Sequence, residues 1–147
     1  MIRRADSSDI KYIFDIDSKN FVFEKYTILD IEKFVNNFNK NDYVLVIDFD
    51  EKIVGYMIFR VVDDFIEIFK ICIMSEYRKK GFGFLLIKYI CDNFNKDIYK
   101  IILEVRAKNK IAINFYERVG FKKIFIKKNY YKNPIDDAII YEKMIKE

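Results

Sequence analysis

The 147-residue chain is 52% apolar and 34% charged, the balance of one globular domain large enough to bury a core without staples. It contains no His, which excludes Ser-His-Asp and Cys-His nucleophile pairs and His-ligated metals, and leaves proton transfer to carboxylates, Tyr, Lys, Cys or water. The net charge of +4 is modest and suits an anionic ligand, or a basal affinity for RNA-rich particles, without establishing either.

The segment Met1-Ile2-Arg3-Arg4-Ala5-Asp6 has no apolar h-region, and no apolar run approaches the about 18 residues of a membrane span. Cys72 and Cys91 form no Cys-x-x-Cys unit. These features lead us to expect a cytoplasmic protein with no membrane partner. Ile2 to Arg4 reads as a short strand. A helix follows from about Ser8, capped by Asp6 or Ser7, with Ile10, Ile13 and Phe14 on one face. Thr27 and Asp30 have the spacing of a capping box, which opens a helix carrying Ile31, Phe34, Val35 and Phe38. Three strands come next, Tyr43–Asp48, Ile53–Val62 and Phe65–Ile73, with short polar connections that predict antiparallel hairpins. In the third, Glu67 and Lys70 fall on opposite parity, which a β-bulge between them would reconcile.

After Arg78-Lys79-Lys80-Gly81-Phe82-Gly83 a helix runs to about Asn95 on the stripe Leu86, Ile90, Phe94. Lys100–Val105 is a strand whose Ile101-Ile102-Leu103 run indicates burial on both faces. Ala112, Phe115, Tyr116 and Val119 mark a short helix ended by Gly120 at C′. Phe121–Asn129 and Ala138–Met144 complete the sheet, with Tyr130-Tyr131-Lys132-Asn133-Pro134 as an aromatic loop between them. Hairpins followed by strand–helix–strand units indicate a mixed α/β sheet in a single domain without linker or repeat.

Four groups of residues could carry chemistry. Arg78 to Gly83, between a strand and a helix, offers glycine backbone, a helix N-terminus and positive charge, which together would hold a pyrophosphate; an ordinary tight turn with solvated lysines reads the same. Glu104, at the end of a buried-type strand, is either a general base or a solvated strand-end carboxylate. Tyr116 is either a core residue or a general acid. The Tyr130-Tyr131 loop either recognises a partner or packs on its own domain.

These pieces stand in an order that resembles the GNAT superfamily over nearly the whole chain. Arg78-x-x-Gly81-x-Gly83 matches its pyrophosphate-binding motif. Leu103-Glu104-Val105-Arg106-Ala107-Lys108-Asn109, then Ala112, then Phe115-Tyr116-Glu117-Arg118-Val119-Gly120-Phe121, is similar to the signature of the bacterial RimI-type enzymes, which acetylate the N-terminal alanine of a small-subunit ribosomal protein. The stretch from Lys127 to Ala138 resembles the same group's tail. The resemblance implies one GNAT domain over 1–147, an α/β (α+β mixed) fold with a mostly antiparallel twisted sheet and flanking helices. It implies acetyl-CoA as co-substrate and no metal. Ile71, Cys72 and Ile73 would pair with the pantetheine arm. Arg78, Lys79, Lys80, Gly81, Phe82, Gly83 and Phe84 would cradle the pyrophosphate, and Asn109 would contact the cofactor's arm. Glu104 would take a proton and Tyr116 give one. The implied partner is the N-terminus of a ribosomal protein, with no direct nucleic-acid contact. Phe84 stands where an Arg is common, Asp136 replaces Glu, and Phe21–Thr27 lacks a Pro-Trp pair familiar in the RimI-type group. Acetylation of a small amine or a Lys side chain, a non-catalytic CoA-binding module, and a basic RNA- or ribosome-binding domain are the other readings of the chain.

Overall fold

The computed structural model describes residues 1–94 and 96–145. After β1 (Ile2–Arg4), Asp6 accepts the Ser8 N–H at 2.9 Å and Asp9 accepts the Asp6 N–H at 2.8 Å, which starts a 3₁₀ turn over Ser7–Asp9. The turn runs into α1 (Ile10–Asn20), whose buried stripe is Ile10, Ile13, Ile16 and Asp17. The capping box of α2 (Ile28–Val35) is complete: Thr27 Oγ1 accepts the Asp30 N–H at 3.1 Å and the Asp30 carboxylate accepts the Thr27 N–H at 2.8 Å. Such a cap is worth about 1 kcal/mol. α2 stops at Asn36, and Asn37 turns to φ 65°, so Phe38 lies beyond the helix and 76% exposed instead of extending its core stripe.

β2 (Asp42–Phe49), β3 (Lys52–Val62) and β4 (Phe65–Ile73) form the expected antiparallel hairpins. They are followed by α3 (Phe82–Asn93), β5 (Lys100–Arg106), α4 (Lys110–Arg118), β6 (Lys122–Lys132) and β7 (Ile135–Met144). The expected helix end at Asn95 lies outside the described residues; the last helical residue among them is Asn93. The strands make one sheet in the order β1-β2-β3-β4-β5-β7-β6, antiparallel throughout except for β4 beside β5, which α3 connects as a crossover. Tyr130, Tyr131 and Lys132 continue β6 rather than forming a loop, which corrects the sequence reading and leaves a tight turn at Asn133-Pro134. No helix among the described residues is long and apolar enough to cross a membrane.

The sheet has a core on each face. α3 and α4 cover one, where Leu86, Ile90, Ile101, Leu103 and Tyr116 pack with Met57 and Phe59. α1 and α2 cover part of the other, closing Ile13, Ile16 and Ile31 over Val44, Val46, Tyr56, Ile58 and Cys72. β4 serves both faces through the expected bulge. Ile58 pairs with Lys70 and Phe59 with Ile68, so Phe69 is an extra residue. Ile66 and Ile68 face the α3/α4 core before the bulge and Ile71 and Ile73 after it, which brings Glu67 and Lys70 onto the α1/α2 face together.

Candidate active site

β4 and β5 pair only from Phe65↔Lys100 to Ile68↔Leu103. Each continues past that point while held by its outer neighbour, β4 by β3 as far as Gly55↔Ile73 and β5 by β7 as far as Arg106↔Ala138. The bulge at Phe69 bends β4 where the pairing ends, and the two strands part into a wedge. The Met74 N–H donates to Val54 O at 2.8 Å, and the Cys72 carbonyl faces Gly55. Strand alternation then turns the N–H and C=O of Ile71 and Ile73 toward the wedge. Arg78 Nε donates to Ile73 O at 3.0 Å. The Ile71 amide groups and the Ile73 N–H remain as an open ladder, the kind of edge that takes up another amide-bearing chain.

The mouth of the wedge meets the start of α3. Gly81, at φ 90°, is its N-cap and its carbonyl accepts the Leu85 N–H at 3.0 Å. The N–H groups of the first turn have no partner within the helix and sit at the positive end of its dipole. Lys79 and Lys80 are exposed beside them. A helix N-terminus with flanking positive charge is suited to an anion such as phosphate. A Cβ on Gly83 would come within 2.9 Å of the Phe115 ring, so glycine lets α3 lie close on α4. Not all of the expected cradle points outward. The Arg78 guanidinium is spent on Ile73 O and on Asn20 Oδ1 at 2.6 Å, tying β4 to the end of α1. Phe82 packs against Phe49, and Phe84 is 51% exposed. Asn109 caps α4 by accepting the Ala112 N–H at 3.2 Å, which leaves its amide N–H donors for a ligand.

Glu104 and Tyr116 lie on opposite faces of the sheet. Glu104 lies on the α1/α2 face, where Lys127 of β6 reaches across Ala138 of β7 to place Nζ 2.8 Å from Oε2. The Lys127 ammonium is held above its ordinary pKa, chiefly by this hydrogen bond, and sits 4.7 Å from the Tyr130 ring. Glu67 shares the face; burial and the neighbouring Glu104 raise its carboxyl above the ordinary value. Tyr116 is buried on the α3/α4 face against Phe121, Phe115 and Tyr141. Its backbone is locked by the C-terminal motif of α4: the Phe121 N–H donates to Tyr116 O at 2.9 Å and the Gly120 N–H to Glu117 O at 3.2 Å, with Gly120 at φ 104°. Burial, and then the nearby Cys72 thiol, push the Tyr116 hydroxyl above the usual tyrosine value, so at neutral pH it is a donor. Burial likewise pushes the Cys72 thiol up to about 11, which makes it a poor nucleophile. A carboxylate on one side and a neutral phenol on the other can take a proton from an attacking group and return one to a leaving group.

Two further strands of the site escape sequence reasoning. The Lys127 and Glu67 contacts join residues far apart in the chain. Arg106, at the end of β5, bonds Glu24 of the α1–α2 loop, donates to Asn133 O at 3.3 Å and Pro134 O at 3.0 Å, and lies 4.1 Å from the Tyr131 ring. It clasps that loop to the β6–β7 hairpin across the face that carries Glu104. The aromatic pair Tyr130-Tyr131 and the segment Phe21–Thr27 stood out in the sequence, but not their meeting at Arg106.

Residues 10–121 match the model of the Acetyltransferase (GNAT) family. The chain is 33% identical over 94 residues to the [ribosomal protein bS18]-alanine N-acetyltransferase of Salmonella typhimurium, spanning 62% of this chain and 64% of that protein. A Bacillus subtilis protein provisionally named for the same reaction is 31% identical over 144 residues, covering 95% of this chain and 91% of its own. In the crystal structure of the ribosomal-protein-S18-alanine N-acetyltransferase from Escherichia coli, 94% of the chain superposes on all of this one, with a TM-score of 0.85 and 26% identity.

Proposed function

Since the chain belongs to the Acetyltransferase (GNAT) family, we propose that it transfers the acetyl group of acetyl-CoA to the N-terminal amine of a ribosomal protein beginning with alanine, in the cytoplasm. The observation that carries this reading is the β4–β5 wedge with Glu104 on one face of the sheet and Tyr116 on the other. Acetyl-CoA supplies the acetyl group as an activated thioester. The residues fit it, with one correction to the sequence reading: the open backbone edge at Ile71 and Ile73 suits the amides of the pantetheine arm, whereas Cys72 between them turns its backbone to β3; the α3 N-terminus at Gly81 to Phe84 with Lys79 and Lys80 suits the pyrophosphate, and Asn109 keeps free amide donors for the arm.

An α-amino group has a pKa of about 7.7–8.0 against about 10.4 for Lys, so a protein N-terminus is the easier amine to neutralise. Glu104 accepts its proton through a water. The neutral nitrogen bonds to the acetyl carbon while the Ile73 N–H donates to the carbonyl oxygen. The carbon–sulfur bond then breaks, the Tyr116 hydroxyl gives its proton to the departing sulfur, and the nitrogen's surplus proton passes through water to restore the phenol, leaving the amide and the free thiol. Cys72 and Cys91 take no part. The relatives named for bS18 supply the identity of the acceptor, and the Arg106 clasp supports it by roofing the approach to Glu104 with loop and hairpin, as an extended peptide requires. Acetylation of peptides that differ only in their first residue tests the proposal; turnover of the alanine N-terminus and not of an internal Lys supports it. A small cationic amine is the second reading, favoured by the second carboxylate, Glu67, on the acceptor face; turnover of diamines with no peptide turnover would establish that instead.

A further inference from the structure

The α1–α2 loop, residues 21–27, is held from beneath by a buried charge. Asp17 of α1 is fully buried and Lys70 of β4 is 7% exposed. Lys70 Nζ lies 2.8 Å from Asp17 Oδ1 and also bonds the backbone carbonyl of Glu24. The Tyr56 hydroxyl donates to Asp17 Oδ1, and the other carboxylate oxygen accepts the Tyr26 N–H at 2.8 Å. The ammonium sits 4.1 Å from the Phe21 ring centroid and 3.9 Å from that of Tyr26, so both ends of the loop press on the same cation. The Phe69 bulge alone puts Lys70 on this face. Between these two anchors Glu24 turns its side chain to Arg106, two residues beyond Glu104. The loop therefore crosses the β4–β5 wedge on the Glu104 side, pinned at Lys70 and clasped at Arg106.

We infer that Lys70 is a positioning residue for the acceptor: with Asp17 it fixes the height of the α1–α2 loop over the wedge and so limits the size of the first acceptor residue. An ordinary structural ion pair would not bond the backbone of a loop at two points and carry two aromatic rings of the same loop. Burial holds the Lys70 pKa below that of a free lysine, against the pull of Asp17. The ammonium satisfies the Asp17 carboxylate and the Glu24 carbonyl at once. The inference rests on the acetyltransferase reading for its consequence in kinetics, and on the loop alone for its consequence in motion.

Two measurements on Lys70→Met separate these. Amide hydrogen exchange at Tyr26 and its loop neighbours should quicken about tenfold or more relative to wild type, while the β3 and β7 amides keep their rates. KM for an alanine-first peptide should rise about tenfold, with KM for acetyl-CoA within twofold of wild type and with relaxed discrimination against bulkier first residues. Should Lys70→Met fail to fold because Asp17 is left unpaired, the neutral pair Asp17→Asn with Lys70→Met serves in its place. Unchanged loop exchange overturns the inference outright. Faster exchange with unchanged peptide KM and selectivity shows a structural strut and overturns the positioning role. Equal losses for peptide and acetyl-CoA overturn it as well. A wild-type chain inactive on every N-terminus would instead defeat the acceptor reading and the size-limiting role with it, and loop exchange would then decide whether Lys70 pins the loop.

Discussion

Replacing Gly55 with alanine strikes the wedge from behind. A Cβ at that position would stand 2.4 Å from Ile73 Cδ1, 2.9 Å from the Cys72 carbonyl oxygen and 3.2 Å from Ile47 Cγ2. The isoleucine tips can rotate away, but the carbonyl belongs to the backbone of β4, so the strand itself must move by a few tenths of an ångström or more. Overpacking of this kind costs about 1–3 kcal/mol. At about 2–4 °C per kcal/mol for a domain of this size, a 2 kcal/mol loss lowers Tm by roughly 4–8 °C. The displaced segment carries the Ile73 N–H, and complete loss of such a donor costs about 10²–10³ in kcat; a partial shift should cost about tenfold in kcat/KM for acetyl-CoA. Thermal unfolding and initial rates on the purified variant read both effects. Wild-type Tm together with wild-type kcat/KM would refute the reasoning, because it would mean that β3 and β4 absorb the methyl without disturbing the edge assigned to the thioester.

Glu104→Gln should lower kcat about 10²–10⁴-fold with little change in acetyl-CoA affinity, and the loss of its partly exposed pair with Lys127 should leave the urea midpoint nearly unchanged. Tyr116→Phe should lose rate on the same scale, about 10²–10⁴-fold, while keeping its ring packing and hence its Tm. With peptide, kcat/KM should climb as pH rises through about 7.7–8.0, where the acceptor amine deprotonates. It should then stay level past pH 10.0, because burial raises Tyr116 above that ordinary value and keeps the donor protonated; an alkaline fall in the profile below that point would remove Tyr116 from the donor role. Asp9 is held below its ordinary pKa of 3.8, first by its hydrogen bond from Arg3. The folded state therefore prefers the carboxylate: its contribution is whole above the unfolded pKa and is lost as pH falls through the depressed folded value. Asp9→Asn should flatten the loss of stability below pH 3.8, measured as urea midpoint against pH; an unchanged acid limb would show that other carboxylates govern it.

Local rules were legible wherever the chain speaks to itself over a few residues. The Thr27–Asp30 box and the Gly120 terminus both lie within one helical turn of what they organise. The β4 bulge was legible for a different reason: two charges, Glu67 and Lys70, could not both avoid the α3/α4 core on one strand parity. β6 was misread beyond Asn129 because pattern reading needs a buried face. This edge strand is exposed along most of its length, and its register slips between Lys127 and Tyr131. Phe38 was misassigned because the Asn36-Asn37 turn ends α2 before the stripe does. The contacts that shape the site span 23 residues for Lys127 with Glu104, 53 for Lys70 with Asp17 and 82 for Arg106 with Glu24. No local periodicity encodes such pairs; only the fold brings them together. Glu104, Tyr116 and the Arg78–Gly83 turn each keep an ordinary structural reading when taken singly, and the roles proposed for them come from the resemblance.

The most direct test is acetyl-CoA-dependent acetylation of a short peptide panel by the purified chain. One peptide carries the alanine N-terminus of ribosomal protein bS18, others begin with bulkier residues, and one has a blocked N-terminus with an internal Lys. Selective modification of the alanine N-terminus, slowed about 10²–10⁴-fold in Glu104→Gln, is the predicted result. Acetyl-CoA binding with no transfer to any N-terminus would contradict the account.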